Sequence, residues 1–286
     1  MASQDPVGRV SVFSTGSVAV RPEHVGPTRK HPYLWLFTSR RWTAPRPVNV
    51  FVVEHREGLV LFDTGQDRAA TVDPTYFPAG PMGLVFTRVA KGRMGAGETV
   101  PARLAALGLR AEDVAKAVVS HLHYDHVGGL RDLPRAEVLV SRAELDSLTS
   151  PFPVARGLLP GRLHDGARWR PVDFEPLGDA GLAPFTAGFD LFGDGALVML
   201  PTPGHTPGSM SMLVRRKGGA PLLMVGDLTY DAELLAAGAL PGLGDRRRMA
   251  RAAAEVNELR RRLPGLAVLA AHDPNAAALL ERASEG

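Results

Sequence analysis

The stretch "SHLHYDHVGG" (residues 120–129) places three histidines and one aspartate within six consecutive positions. The whole chain has nine histidines, so a third of them lie in this short segment. It follows "VAKAVVS" (114–120), an apolar run typical of a buried strand. Side chains two positions apart on an extended backbone point the same way, and the chain turns directly afterwards. We therefore expect four side chains to converge on one small volume: His121, His123, Asp125 and His126.

Imidazole and carboxylate groups clustered in this way indicate a site for zinc, iron, cobalt or manganese. Further candidate ligands each lie at the end of another predicted strand: His205 in "TPGHTPGS" (202–209), Asp227 in "VGDLTY" (225–230) and His272 in "LAAHDP" (269–274). Strand ends gather functional groups at one edge of a sheet, so we expect these residues to join the cluster. Seven ligands exceed the needs of one tetrahedral ion and suit two ions that share a carboxylate.

The composition limits the remaining classes of function. The chain has 286 residues, a net charge of +3 with both signs interspersed, and no cysteine, which excludes disulfides and thiolate chemistry. The interspersed charges favour a plain solvated surface over a nucleic-acid-binding one. The start, "MASQDPVGRV", lacks the apolar region of a secretory signal, and no apolar run approaches the ~20 residues of a membrane span. We expect a cytoplasmic monomer or homodimer that binds neither nucleic acid nor membrane.

The order of predicted elements indicates an α/β protein. The pattern predicts a hairpin over 48–65, strands within 114–120, 136–141, 220–231 and 265–274, and a strand pair within 196–216. It predicts helices over 99–109 and 245–263, with Thr99 and Asp245 as N-caps, and a last helix that Asp273 caps, with Pro274 in its first turn. Residues 150–188 and two excursions, near 21–45 and 67–99, are expected to be loops. Two hairpins that each deliver an aspartate suggest two similar halves in one domain over 1–286, with two packed sheets and outer helices.

The motif "HLHYDH", followed by "PTPGHTPGS", "GDLTYD" and "AAHDP", resembles the metallo-β-lactamase superfamily of hydrolases. The resemblance implies the αββα sandwich fold and two divalent transition-metal ions, with zinc expected first and iron, cobalt or manganese open. It implies a first metal bound by His121, His123 and His205, a second bound by Asp125, His126 and His272, and Asp227 as the bridge. It also implies that Asp63, in "LFDTG", is a buried residue that orients the ligand loop by hydrogen bonds.

Tyr230 narrows the resemblance to one branch. The spacing Asp227-x-x-Tyr230 resembles the N-acyl-homoserine lactonases, which are quorum-quenching enzymes in which such a tyrosine reaches the substrate carbonyl. Tyr124 matches an aromatic residue that lines their substrate pocket. The implied reaction is the opening of a lactone ring by a metal-bridging hydroxide, with Tyr230 stabilising the oxyanion and Asp125 acting as general acid.

Other readings of the same residues stay open. A protein of this kind could hydrolyse another ester, a thioester as glyoxalase II does, or a phosphoester. It could instead be a metal-binding oxidoreductase, or a protein that keeps its metals for stability alone. Tyr230 could be a core aromatic residue whose hydroxyl is satisfied by the backbone. The excursions near 21–45 and 67–99 bring aromatic residues and arginines, which could form a lid, cover a core edge or contact a second subunit.

Overall fold

Two mixed β-sheets pack face to face in the computed structural model, which describes residues 5–285 except for the side chain of Tyr33. The first sheet contains, in spatial order, β4 (Ala90–Arg93), β1 (Val7–Val20), β2 (Arg46–His55), β3 (Gly58–Phe62), β5 (Val114–Val118), β6 (Glu137–Ser141) and β7 (Arg168–Val172). The second contains β13 (Ala267–Leu269), β12 (Leu222–Met224), β11 (Met210–Val214), β10 (Leu197–Pro201), β9 (Ala187–Asp190) and β8 (Glu175–Pro176). The predicted αββα sandwich is confirmed.

The α-helices of the described residues are, in chain order, α1 (Pro22–Val25), α2 (Pro32–Thr38), α3 (Ala69–Val72), α4 (Pro81–Val89), α5 (Val100–Ala106), α6 (Tyr124–Val127), α7 (Arg142–Leu148), α8 (Ala232–Ala236), α9 (Arg246–Arg262) and α10 (Ala276–Glu285). The predicted helix over 245–263 is confirmed as α9, and the Asp245 carboxylate accepts hydrogen bonds from the backbone N–H groups of Arg247 and Arg248 at its N-terminus. Among residues 5–285 no helix combines the length and apolar character that a membrane span requires.

The side chains of β2 show why the sheets stack and why helices cover them. Successive residues of a strand point to opposite faces. Phe51 and Val53 point into the cluster where the two sheets meet, and Val50 and Val52 point into a second cluster that includes Leu104 of α5. The outer face of the second sheet is covered in the same way by α8 and α9. Each sheet therefore buries both faces, which explains its nearly continuous apolar strands.

The parallel strand pairs place the predicted site at one edge of the sandwich. β3, β5 and β6 run parallel in the first sheet, and β12 and β13 run parallel in the second. Parallel strands end at the same edge of a sheet, where loops carry functional groups. Asp63 follows β3, His121 follows β5, Asp227 follows β12 and His272 follows β13. The sheets thus bring residues together that lie up to 209 positions apart in the sequence, from Asp63 to His272.

Several elements differ from the sequence-based expectation. β1 was not predicted, because "SVFSTGSV" interrupts its apolar alternation, and the strand is irregular where Gly16 has φ of +92°. The expected loop over 150–188 contains β7, an edge strand that tolerates Pro171, together with β8 and the start of β9. The excursions contain helices α1 to α4 and strand β4 rather than loops alone. Thr99 precedes α5, but its side chain makes no capping hydrogen bond.

Candidate metal centre and active site

The seven candidate ligands lie together at the predicted edge of the sandwich. They form overlapping triads whose donor atoms lie within 4.8 Å of one another: His121, His123 and His205; His121, His126 and Asp227; Asp125, His126 and His272. His121 and His126 belong to two triads each, so the triads make one continuous cluster. The structure therefore brings together every residue that the sequence singled out as a metal ligand.

Backbone carbonyls fix the orientation of two imidazole rings in the cluster. Nδ1 of His272 donates to the Pro47 carbonyl at 2.9 Å, and Nε2 of His123 donates to the Arg156 carbonyl at 2.9 Å. A carbonyl oxygen can only accept, so each of these nitrogens carries a hydrogen. The other nitrogen of each ring then faces the cluster, which is the arrangement that metal-ligating histidines adopt.

Asp63 binds the "HLHYDH" loop by hydrogen bonds, as expected from the resemblance. Its carboxylate is buried and accepts hydrogen bonds from the backbone N–H of Ser120 at 2.7 Å and from the Ser120 hydroxyl at 2.9 Å. The same carboxylate lies 2.8 Å from Nδ1 of His126. Asp63 has φ of +60°, a left-handed conformation that aspartate tolerates better than most residues. This geometry directs Nε2 of His126 towards Asp227, whose Oδ1 lies 3.3 Å away.

Buried polar atoms without partners show that the cluster fits metal ions. Within the described residues, His121 Nε2, His126 Nε2 and Asp227 Oδ1 are buried and have no hydrogen bond of acceptable geometry, although the last two atoms lie only 3.3 Å apart. Leaving such an atom unsatisfied costs about 1–3 kcal/mol, so their concentration at one point needs an explanation. Imidazole nitrogens and a carboxylate oxygen are suitable ligands for zinc and for the other transition metals considered above.

The surroundings favour the unprotonated, metal-binding form of His121, His205 and Asp227, but not of His126. Burial, with the neighbouring histidines, holds the pKa of His121 well below its ordinary value, and burial does the same to the pKa of His205. Burial would raise the pKa of Asp227, but His272 and His126 outweigh it and hold this pKa well below its usual range. Burial opposes the charge of His126, yet Asp63 and Asp227 hold its pKa well above normal. Among these four groups, a cation therefore competes with a proton mainly at His126.

Glu144 forms hydrogen bonds to two of the loops that carry candidate ligands, a role that the sequence does not indicate. Its buried carboxylate accepts the backbone N–H of Leu122 at 3.0 Å, the Thr206 hydroxyl at 2.7 Å and the backbone N–H of Gly208 at 3.0 Å. Leu122 belongs to the "HLHYDH" loop, and Thr206 follows His205. The local signal, Ser141-x-x-Glu144, is that of a helix N-terminal capping box, which hides the long-range role.

Tyr230 also lies in the cluster. Its hydroxyl donates to Asp227 Oδ2 at 2.9 Å and lies 3.0 Å from Nε2 of His24. Its ring stacks on His272, with centroids 5.1 Å apart and planes inclined by 16°. The hydroxyl is thus satisfied by side chains, so the alternative of a backbone partner is wrong. Burial and the charge of Asp227 raise the pKa of Tyr230 well above its ordinary value, which keeps the hydroxyl protonated.

The cluster forms one wall of a cavity of about 720 Å³. Asp125, which is half-buried, faces this cavity together with Tyr230, and Asp125 Oδ2 lies 3.6 Å from Nε2 of His272. Both excursions contribute apolar side chains to the other walls, including Leu36 of α2 and Val89 of α4. Tyr124 lines the cavity as expected, and its ring packs edge-on against Phe77 at 5.2 Å. The cavity is therefore polar at the cluster and mainly apolar elsewhere.

Comparisons with known proteins show the family and support the fold. The model of the Metallo-beta-lactamase superfamily matches residues 43–272. The chain is 30% identical over 233 residues to N-acyl homoserine lactonase AttM of Azorhizobium caulinodans, covering 80% of this chain and 83% of that protein. It is 32% identical over 230 residues to a probable metallo-hydrolase of Mycobacterium tuberculosis, covering 76% and 68% respectively. A solved N-acyl homoserine lactone hydrolase with the product N-hexanoyl-L-homoserine at its catalytic metal centre shares the fold, with a TM-score of 0.74, 18% identity and 94% of each chain covered.

Proposed function

This chain belongs to the metallo-beta-lactamase superfamily, and from that membership we propose that it is a metal-dependent hydrolase that opens lactone rings of the N-acyl-homoserine lactone type. The observation that carries the proposal is the Tyr230 hydroxyl, which lies 2.9 Å from Asp227 in the candidate metal cluster and faces a largely apolar cavity. An acyl lactone matches this distribution of polarity, since its ester group is polar and its acyl chain is apolar. The similarity to a relative named as a lactonase supports the same substrate class.

The proposed centre has two metal ions in one site. We assign His121, His123 and His205 to one ion and Asp125, His126 and His272 to the other, with Asp227 shared, because the donor atoms of these residues form overlapping triads. Zinc is our first choice, since the ligands are imidazoles and carboxylates and the chain has no thiolate. When bound, such ions supply Lewis acidity, which activates water and polarises an ester carbonyl.

The chain's own residues supply orientation and proton handling. The Tyr230 hydroxyl stays protonated at neutral pH and can donate to the carbonyl oxygen of the lactone as negative charge develops there. Asp125 is placed at the cavity wall, where its carboxyl group can hold a proton and deliver it to the departing ring oxygen. The apolar walls are suited to bind the acyl chain of the lactone.

A screen of the full-length protein tests this proposal. N-acyl-homoserine lactones of several chain lengths, a linear ester, a glutathione thioester and a phosphoester are compared, with metal content measured in the same sample. We expect the highest kcat/KM for a lactone. A higher value for the thioester or phosphoester would overturn the substrate class, and full metal content without turnover would indicate a binding protein. Turnover that needs redox-active iron would indicate an oxidoreductase. The cytoplasmic location and the monomeric or dimeric state stay predictions.

A further inference from the structure

His24 contacts Tyr230 in the wall of the cavity and is not one of the candidate metal ligands. The side chain is buried, at 4% exposure, and its Nε2 lies 3.0 Å from the Tyr230 hydroxyl oxygen. The two ring centroids are 5.0 Å apart. We infer that His24 is a positioning residue, which donates a hydrogen bond from Nε2 to the Tyr230 oxygen and so aims the hydroxyl proton into the active site. This inference rests on the proposed function, because it assigns Tyr230 a role in stabilising the oxyanion.

The fold holds His24 in place from several sides. Its backbone N–H donates to the Arg21 carbonyl at 2.9 Å, and its carbonyl accepts from the backbone N–H of Gly242 at 3.1 Å. The ring of Trp35, which is fully buried, lies 6.1 Å from the His24 ring. A side chain anchored in this way can fix the position of its hydrogen-bond partner at little cost in side-chain entropy.

Hydrogen-bond geometry determines which atom carries the proton between His24 and Tyr230. The Tyr230 hydroxyl has one hydrogen, and the carboxylate of Asp227 can only accept it. The contact of 3.0 Å between the hydroxyl oxygen and His24 Nε2 then requires Nε2–H as the donor. This tautomer leaves Nδ1 as a lone pair, and Nδ1 is buried without a partner within the described residues. Burial lowers the pKa of His24 to about 4, so the ring is neutral at neutral pH.

The arrangement forms a chain of hydrogen bonds from His24 through Tyr230 to Asp227. A bond received by the hydroxyl oxygen polarises the O–H group and makes it a stronger donor. Asp227 is the candidate bridging ligand, and a carboxylate engaged by cations is a weaker hydrogen-bond acceptor. The hydroxyl proton is then available to a carbonyl oxygen in the cavity, while the bond from His24 keeps the oxygen in place.

A double-mutant cycle on metal-loaded protein tests the coupling. His24→Leu removes the donor, and we expect kcat to fall roughly three- to tenfold with KM nearly unchanged, as the loss of one hydrogen bond implies. In the Tyr230→Phe background the same change should alter kcat less than about twofold. His24→Gln, whose amide can replace the Nε2–H donor, should recover most of the activity. If His24→Leu fails to fold, His24→Asn takes its place, because its shorter amide does not reach the hydroxyl.

Equal losses from His24→Leu in both backgrounds would overturn the inference. The matched control is His55→Leu, because His55 is also buried but pairs with Asp194 at the far end of the β2–β3 hairpin from Asp63. This control should lower stability and leave kcat unchanged. The cycle is run on whichever substrate the screen shows to turn over fastest, so failure of the lactone assignment and failure of the His24 role are separate results.

A measurement without substrate gives an independent answer. Nitrogen-15 NMR of histidine-labelled protein distinguishes the two neutral tautomers of the ring. We expect the His24 signals, assigned by their loss in His24→Gln, to show the Nε2–H form in the wild type. The Nε2–H proton should shift in Tyr230→Phe and stay unchanged in His55→Leu. A His24 ring protonated at Nδ1, or one insensitive to Tyr230→Phe, would contradict the assigned direction of the hydrogen bond.

Discussion

The carboxylate of Asp63 lies 2.8 Å from Nδ1 of His126, and it reaches that position from a backbone φ of +60°. The same carboxylate binds both the backbone N–H and the hydroxyl of Ser120, the residue before His121. One buried side chain therefore sets the start of the motif loop and the ring orientation of a candidate ligand. Such outer residues tune metal affinity although they do not touch the ion.

Asp63→Asn should weaken metal binding by about 10- to 100-fold, because an amide is a weaker partner for the His126 ring and for Ser120. Competition with a chelator of known affinity measures the change. Asp194→Asn is the matched control, since Asp194 also pairs with a buried histidine, His55, away from the cluster. Equal metal affinity in the wild type and Asp63→Asn would show that Asp63 does not support the site.

Glu144→Gln should reduce both stability and metal content. The three groups that bond to Glu144 all donate, and an amide presents one acceptor and one donor to them. We expect a loss of about 1–3 kcal/mol in the free energy of unfolding, measured by urea denaturation of metal-free protein. Glu57→Gln, on the exposed β2–β3 turn, should change stability by less than about 0.5 kcal/mol. Wild-type stability in Glu144→Gln would refute the cross-link between the two loops.

His205→Ala and His272→Ala should each lose metal and activity together, because each removes a ring from a candidate triad. His164→Ala should affect neither, since His164 lies in a loop outside the triads and the cavity lining. Elemental analysis and kinetics on the same samples measure both properties. A loss of metal in His164→Ala as large as that in His205→Ala would show that the ligand assignment is wrong. His55→Ala should spare the metal but lower stability, because His55 is buried and stacks on Phe192.

Tyr230→Phe removes only the hydroxyl and keeps the ring that stacks on His272. Metal content should stay near that of the wild type, while kcat and kcat/KM fall together by roughly tenfold to a thousandfold, the value of one oxyanion donor. Tyr76→Phe is the control, because Tyr76 is a buried tyrosine outside the cavity lining. An unchanged kcat on the best lactone, with the metals retained, would exclude a role for the hydroxyl.

The residues that could be predicted from the sequence are those whose signal is local. "HLHYDH" concentrates metal-binding side chains next to an apolar strand, and Asp245 precedes a long amphipathic helix, so both could be assigned from neighbouring residues. The αββα sandwich followed from the order of such segments and from the family resemblance. The candidate ligands meet at one edge of the sandwich because parallel strands of a sheet end at the same edge, as in other α/β folds.

The residues that were missed depend on contacts between distant segments. His24 meets Tyr230 across 206 positions, and no pattern around "RPEHVG" marks it as part of the site. Glu144 appears locally as a helix-capping residue, although its carboxylate bonds to loops 22 and 62 positions away. β1 has its apolar pattern interrupted by Ser14, Thr15 and Gly16 and is held by its neighbours β2 and β4. Tertiary pairing decides these features, so short sequence windows do not show them.

Titration of metal-free protein with zinc tests the central claim most directly. Bound zinc, lactone turnover and thermal stability are followed in the same samples, because binding to the folded state alone should raise the melting temperature as the site fills. The account predicts that lactone turnover reaches its plateau at two zinc ions per chain, because the triad of His121, His126 and Asp227 overlaps with the two other triads. A plateau at one ion per chain, or two bound ions without hydrolysis of any lactone, would contradict it.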